Sequence, residues 1–293
     1  MPQKEYIAGE EAGLVDYLLS LGFKRTGIKQ FLKYRAVSVN GKTVERHDHR
    51  LLPGDRISIS SEKKALSAGV PKLGLKILFE DDAVVVIDKP EGLLTIGTEK
   101  ERTKTAYFQL NEYLRERDPD KRERVFIVHR LDRETSGLIV FAKTEAAKRR
   151  LQDNWAEADK RYLAVVEGVP RKNEDTIAGY LSETATFRVY EGRGAKNAKY
   201  AVTKYKILKK GGAYSLLEIA IETGRKHQIR VHLSGIGHPV AGDMKYGAAA
   251  DPLKRLALHA YRLSFPHPLT KKRLDFESRM PRVFDQLLSR TKA

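Results

Sequence analysis

Three stretches alternate apolar and polar residues and crowd the second half of the chain: "KRYLAVVEG" (160–168), "KYAVTKYKILKKGG" (199–212) and "AYSLLEIAIET" (213–223). A period of two is the pattern of a strand with one buried face. The last two are separated only by a Gly-Gly pair, which leaves no room for a crossover helix. A doubly wound parallel sheet needs a helix after nearly every strand, so the pattern points to the α+β class. The flanking segments agree. "LKILFEDDAVVVIDKPEGLLT" (75–95) reads as two strands around Asp81-Asp82, closed by Pro90 and Gly92. "RTKTAYFQLNEYLRERD" (102–118) reads as an amphipathic helix, "LIVFAKT" (138–144) as a strand and "EAAKRRLQDNWAEAD" (145–159) as a charged helix. "HQIRVHLSG" (227–235) reads as a helix, with Gly224 allowing the turn into it and Gly235 ending it.

The first sixty residues have a different texture. "GLVDYLLSLG" spaces Leu14, Tyr17, Leu18 and Leu21 as a helix ended by Gly22, and "TGIKQFLKYR" places Ile28, Phe31 and Leu32 on one stripe with Lys29 and Lys33 on another. "AVSVNGKTV" alternates around Asn40-Gly41, a tight-hairpin signal, and "LLPGDRISI" adds a Pro-Gly turn and a strand. "SSEKKALSAGVPK" (60–72) is small, polar and poor in apolar residues, as a linker is. The expected organisation is a small α/β domain over 1–60, a linker over 61–73 and a large domain over 74–293. Helix, helix, hairpin, turn and strand, with lysines on the second helix, resemble the S4-type RNA-binding domain. That resemblance implies phosphate contacts from Lys24, Arg25, Lys29, Lys33 and Lys42.

Charge narrows the partner. Lys and Arg number 55 against 38 Asp and Glu, a net +17. The excess is spread along the chain: 12 basic and 8 acidic residues lie up to residue 70, and 43 and 30 lie beyond it. A polyanion such as RNA fits, because each neutralised phosphate releases counterions. No run nears the roughly 20 apolar residues of a membrane span, and the N-terminus lacks a signal-type apolar core. With no cysteine in the chain, thiolate nucleophiles and cysteine-ligated zinc are excluded. A cytoplasmic protein, monomeric by default, is expected.

No glycine-rich phosphate loop, nucleophile elbow or HExxH pair appears. His227, His232 and His238 cluster in sequence without acidic partners, so neither a metal nor a cofactor is expected. Three polar clusters border apolar segments instead. "HRLDRETSG" sets Asp132 between Arg130 and Arg133, "KRYLAVVEG" opens on Lys160 and Tyr162, and "TGRKHQIRVHL" carries Arg225, His227, Gln228 and Arg230. A carboxylate at the rim of a buried sheet needs a partner, and arginine is the best one. Such pairing would lower its pKa and hold it ionised, fit for attack or charge stabilisation rather than general acid work. A purely structural Asp–Arg pair stays open on these residues alone.

Four segments resemble, in order, the motifs of pseudouridine synthases of the RluA type: "ILFEDDAVVVIDKPEGLL", "HRLDRETSGLIVFAKT", "KRYLAVVEG" and "TGRKHQIRVHLSGIGHPVAGDMKYG", across residues 77–247. The resemblance implies a mixed, mainly antiparallel sheet with flanking helices, and a cofactor-free isomerisation of uridine in RNA. It makes Asp132 the nucleophile, Arg230 its ion-pair partner, and Tyr162 the residue that packs on the uracil and helps remove the C5 proton. Arg130 would fill the gap left by a flipped base. Lys89 and Ile229 would shape the pocket beside Arg225 and His227, while Asp243 and Tyr246 would support structure. Large-subunit ribosomal RNA is the expected substrate, with transfer RNA second. A non-catalytic RNA-binding or ribosome-assembly role and an N-glycosidase using the same aspartate are the competing readings.

Overall fold

The computed structural model describes residues 4–33, 37–44, 46–59, 75–117, 123–184, 188–192 and 197–289. The chain divides into two compact units, Met1–Leu73 and Gly74–Ala293. The linker expected over 61–73 lies outside the described residues, as do the side chains of Lys29 and Lys33.

In the first unit, β1 (Lys4–Ile7), β2 (Ala12–Gly13), α1 (Leu14–Ser20), α2 (Arg25–Lys33), β3 (Val37–Val39), β4 (Lys42–Thr43), β5 (Arg50–Leu51) and β6 (Arg56–Ile59) follow in order. Strands β1, β6, β3 and β4 form one sheet, and β2 pairs with β5. Leu14, Leu18, Ile28 and Leu32 pack onto Val37, Val39 and Ile57, so the two helical stripes close over the sheet. Helix α1 ends as its sequence requires. Gly22 takes φ +86, its N–H bonds Leu19 O at 2.9 Å, and Phe23 N–H reaches back to Leu18 O at 3.2 Å. Asn40 and Gly41, at φ 51 and 78, form the two-residue hairpin between β3 and β4. Lys24, Arg25 and Lys42 are exposed.

The second unit contains β7 (Lys76–Glu80), β8 (Val84–Lys89), α3 (Ala106–Arg117), β9 (Phe126–Ile127), β10 (Ser136–Ala142), α4 (Glu145–Asp153), β11 (Asp159–Glu167), β12 (Glu174–Glu183), β13 (Val189–Glu191), β14 (Lys199–Lys210), β15 (Tyr214–Ile221), α5 (Gln228–Gly235), β16 (Leu258–Pro266), β17 (Arg273–Glu277) and α6 (Arg282–Leu288). One sheet runs β13-β12-β14-β15-β11-β16-β10-β8-β7, with β17 on β16 and β9 on β10. The α+β expectation is borne out: among the described pairings between these strands only β10 beside β16 is parallel.

Strand β10 explains why its sequence does not alternate. Neighbours flank it on both edges, and all seven of its residues are buried. Val84, Val86, Leu138, Val140, Leu263 and Phe265 form the core on one face. Fully burying each such side chain contributes about 1.5–3 kcal/mol. The strand hands over to α4 through Thr144, whose hydroxyl accepts the Ala147 N–H at 3.1 Å as an N-cap.

The Thr-Ser-Gly corner that opens β10 owes its glycine to this packing. Gly137 sits at φ +111, and a Cβ there would lie 2.1 Å from Ala260 O of β16. Gly137→Ala therefore meets both a backbone clash and an unfavourable φ. We expect a loss of roughly 2–4 kcal/mol, read as a lowered urea midpoint.

Candidate active site

Asp132 stands on the turn between β9 and β10, and that turn is tied to the turn following β8 at several points. Thr95 Oγ1 donates to Leu131 O at 2.8 Å and accepts Leu131 N–H at 3.2 Å. Arg133 Nε donates to Gly92 O at 3.0 Å. Thr135 N–H closes the turn on Asp132 O at 3.1 Å. Lys89, fully buried, points its ammonium at Leu93 O (2.8 Å), Pro90 O (3.0 Å) and Arg133 O (3.3 Å). Three N–H donors meet three carbonyls, so the charged form alone satisfies them all. Burial nevertheless brings the Lys89 pKa down to about 8, against the pull of Asp132 and Glu134. Lys89 is thus a brace behind the turn and not part of the pocket wall expected of it.

The facing wall is the start of α5. Gln228 accepts from Thr223 Oγ1 (2.7 Å) and Arg225 N–H (3.0 Å), and donates to Val202 O (2.9 Å) and Thr203 Oγ1 (3.0 Å). Four bonds from one amide fold "TGRKHQ" into a rigid entry. The left-handed residue in that entry is His227, at φ 52, and not Gly224. At the far end, Gly237 (φ +82) rather than Gly235 takes the left-handed position that terminates the helix. At His227 the hydrogen bonds of the turn, not the presence of a glycine, select the site.

Between these walls, Asp132, Tyr162, Arg225, His227, Ile229 and Arg230 line one cleft with Arg130 at its exposed side. Ile221 and Leu258 complete it with apolar surface. Neither stood out in sequence, because each belongs to a strand rich in similar residues. Tyr162 is buried, and its surroundings push the phenol far above its ordinary value, chiefly by desolvation and then by the Asp132 charge. The ring is therefore a neutral packing surface.

The ion pairing differs from expectation. Arg230 gives its fork to Asp243, with Nε to Oδ2 at 2.6 Å and Nη2 to Oδ1 at 2.7 Å, both residues being buried. Only Nη1 is left to face Asp132 Oδ2, at 3.5 Å, and Glu134 Oε2, at 3.7 Å. Asp243, read from sequence as structural support, is the closer carboxylate partner. Its role is to fix the plane of the guanidinium that Asp132 sees.

The pKa expectation is also corrected. Burial raises the Asp132 carboxyl above its ordinary value, and Arg230, Arg130 and Lys89 only partly offset this. His227 adds no positive charge at neutral pH, because desolvation and then Arg230 bring it down to about 4. Tyr246 Oη accepts Val189 N–H at 3.1 Å and lies 2.7 Å from His227 Nδ1. The other ring nitrogen, Nε2, faces Asp132 Oδ2, 3.9 Å away.

The three histidines seen together in sequence serve separate partners. His232 Nδ1 meets Thr203 Oγ1 at 2.9 Å, and His238 Nδ1 meets Glu167 O at 2.8 Å. Among the described residues no three His, Asp or Glu groups converge as metal ligands, and no helix is long and apolar enough to cross a membrane.

Residues 83–235 match the family profile "RNA pseudouridylate synthase". The chain is 33% identical over 97% of its length to an uncharacterized RNA pseudouridine synthase of Aquifex aeolicus, covering 95% of that protein. It is 34% identical over 97% of its length to ribosomal large subunit pseudouridine synthase D of Neisseria meningitidis, covering 79% of that protein. Among solved structures, human RNA pseudouridylate synthase domain containing 4 superposes with a TM-score of 0.59 at 27% identity, over 76% of this chain and 92% of that one.

Proposed function

Since the chain belongs to the RNA pseudouridylate synthase family, an isomerase family, we propose that Asp132 is the residue that acts on the target uridine. The observation that carries this reading is the Asp132 carboxylate facing Arg230 Nη1 at 3.5 Å in the cleft that Tyr162 lines. The N1–C1′ bond breaks, the freed uracil turns, and C5 takes the place of N1 on C1′. Arg230 holds the carboxylate at the ribose. The Tyr162 ring, with Ile221, Ile229 and Leu258, gives the turning uracil a dry apolar surface. The last event is loss of the C5 proton, for which the carboxylate of Asp132 is the acceptor at hand, since the buried Tyr162 phenol keeps its own proton. A stacked uridine must first leave its helix, at a cost of a few kcal/mol. Arg130, at the exposed side of the cleft, is read as filling the gap the flipped base leaves, with Arg225 beside it as a further contact to the substrate.

The substrate we propose is large-subunit ribosomal RNA, the RNA named for the Neisseria relative. The first unit is read as an S4-type domain that supplies affinity remote from the chemistry, through Lys24, Arg25, Lys29, Lys33 and Lys42. The protein is taken to act as a monomer. Tritium release from RNA carrying [5-³H]uridine tests the reaction. Pseudouridine mapping in cells with and without the protein tests the substrate: sites lost from transfer RNA alone would overturn the ribosomal assignment. Free uracil among the products would mark an N-glycosidase instead.

A pH profile follows from the site. Asp132 must be ionised, and burial raises its pKa, so the acid limb lies above the ordinary carboxylate range. Lys89 loses its proton at about 8; its neutral amine then has two N–H groups for three carbonyls. The single-turnover rate is expected to fall through an alkaline limb centred near that value. In Lys89→Met the rate is lower and that limb is gone.

A further inference from the structure

Four residues beyond Asp132, the Ser136 side chain enters a run of buried polar groups that the reaction does not use. Arg255 Nη2 donates to Ser136 Oγ at 2.9 Å, and Ser136 Oγ lies 2.8 Å from His259 Nδ1. His259 Nε2 lies 3.2 Å from Ser278 Oγ, which donates to Asp88 Oδ2 at 2.6 Å. Ser136, His259 and Ser278 are all buried.

The far end of this run fixes its direction. Ser278 spends its only proton on Asp88, so it must accept from His259 Nε2–H. Burial, which brings His259 down to about 4, keeps that ring neutral. A neutral ring protonated on Nε2 has an acceptor at Nδ1, so Ser136, which accepts from Arg255, gives its own proton there. A cation, Arg255, thus leads through hydroxyl, imidazole and hydroxyl to an anion, Asp88, with every donor and acceptor matched. Such chains polarise one another.

The chain also joins the segments that hold the cleft. Arg255 pairs with Glu91 in the turn after β8, the same turn that Lys89, Thr95 and Arg133 bind to the Asp132 turn. Its guanidinium lies 5.3 Å from the centre of the Phe284 ring in α6. Asp88 is the last but one residue of β8, His259 the second of β16, and Ser136 the first of β10. Apolar side chains could fill this space without the cost of burying three polar groups.

We propose that Arg255, Ser136, His259 and Ser278 form a directional hydrogen-bond chain that positions the Asp132 turn for attack. They are positioning residues: none touches the cleft where the uridine would lie, and each acts through the corner that carries Asp132. The proposal rests on Asp132 being the reacting group.

The test uses the full chain, with Ser136→Ala at the near end and Ser278→Ala at the far end. Single-turnover tritium release, RNA affinity and melting are measured on each. The expected result is a rate lowered roughly 10–100-fold, RNA affinity within about twofold of wild type, and a cooperative melt. Rates within about twofold of wild type in both variants would overturn the proposal, provided wild type turns over and Asp132→Asn does not. Failure of the functional reading looks different, since wild type itself then releases no tritium. On the wild-type protein, ¹⁵N-histidine spectra should show His259 neutral and protonated on Nε2 from about pH 5 to 9. An Nδ1-protonated ring would overturn the chain whatever the variants do.

Discussion

Asp132→Asn is expected to lower isomerisation by at least about four orders of magnitude, leave RNA affinity within about threefold, and leave the fold as stable as before or more so. The amide has nearly the size and shape of the carboxyl group, and its oxygen can still face Arg230 Nη1. It is not a nucleophile and cannot leave as a carboxylate. The stability sign follows from the raised pKa of Asp132. The folded state favours the protonated form more than the unfolded chain does. Stability is therefore lost as pH rises from the unfolded value through the folded one. A neutral amide escapes that cost, while Arg230 keeps its two short bonds to Asp243. Loss of turnover with unchanged or raised melting temperature is what a residue kept for chemistry should show. Tritium release, filter binding and calorimetry on one preparation decide it. Residual turnover within tenfold of wild type would remove Asp132 from the chemistry.

How far the sequence foretold this arrangement depends on the range of the interaction. Asn40-Gly41 and the Gly22 helix stop are local, and each forms as its residues require. The α+β class was legible because strands β14 and β15 leave no space for a crossover helix. The meeting of Asp132 with Arg230 is not local: the motif resemblance supplied it, and the sheet order brings the two segments together. Three features escaped because they depend on neighbours far along the chain. Gly137 is required by the Ala260 carbonyl of β16. Arg230 is divided among three carboxylates, with its fork on Asp243 and only Nη1 left for Asp132 and Glu134. The Asp132 pKa rises because desolvation outweighs the cations around it, and no spacing of residues encodes burial. In the same way, Lys89 in "DKPEG" looked like a pocket residue until its three carbonyl partners were in place.

Arg230→Ala is expected to cost about 3–5 kcal/mol of stability as well as nearly all activity. The larger share of the stability loss comes from Asp243. It is 1% exposed, and its two short bonds go to Arg230, so the variant strands a buried carboxylate. Arg225 does not stand in, because its Nε is held by Tyr200 O at 3.2 Å and it forms no ion pair with either aspartate among the described residues. A double change separates the two effects. Arg230→Leu with Asp243→Asn removes the stranded charge and fills the space beside the Tyr246 ring, whose centre lies 5.1 Å from the guanidinium. Most of the melting temperature should return. Activity should not, because Asp132 still lacks the cation that faces it. If activity returned along with stability, Arg230 would be a strut for the fold and the carboxylate would need no orienting charge. If neither returned, the apolar pair would have failed to repack, and Asp243→Asn alone, keeping Arg230 beside Asp132, would still measure what the guanidinium contributes: stability falls by about 1–3 kcal/mol for the weakened bidentate pair, while turnover stays within about tenfold of wild type because Nη1 still faces Asp132.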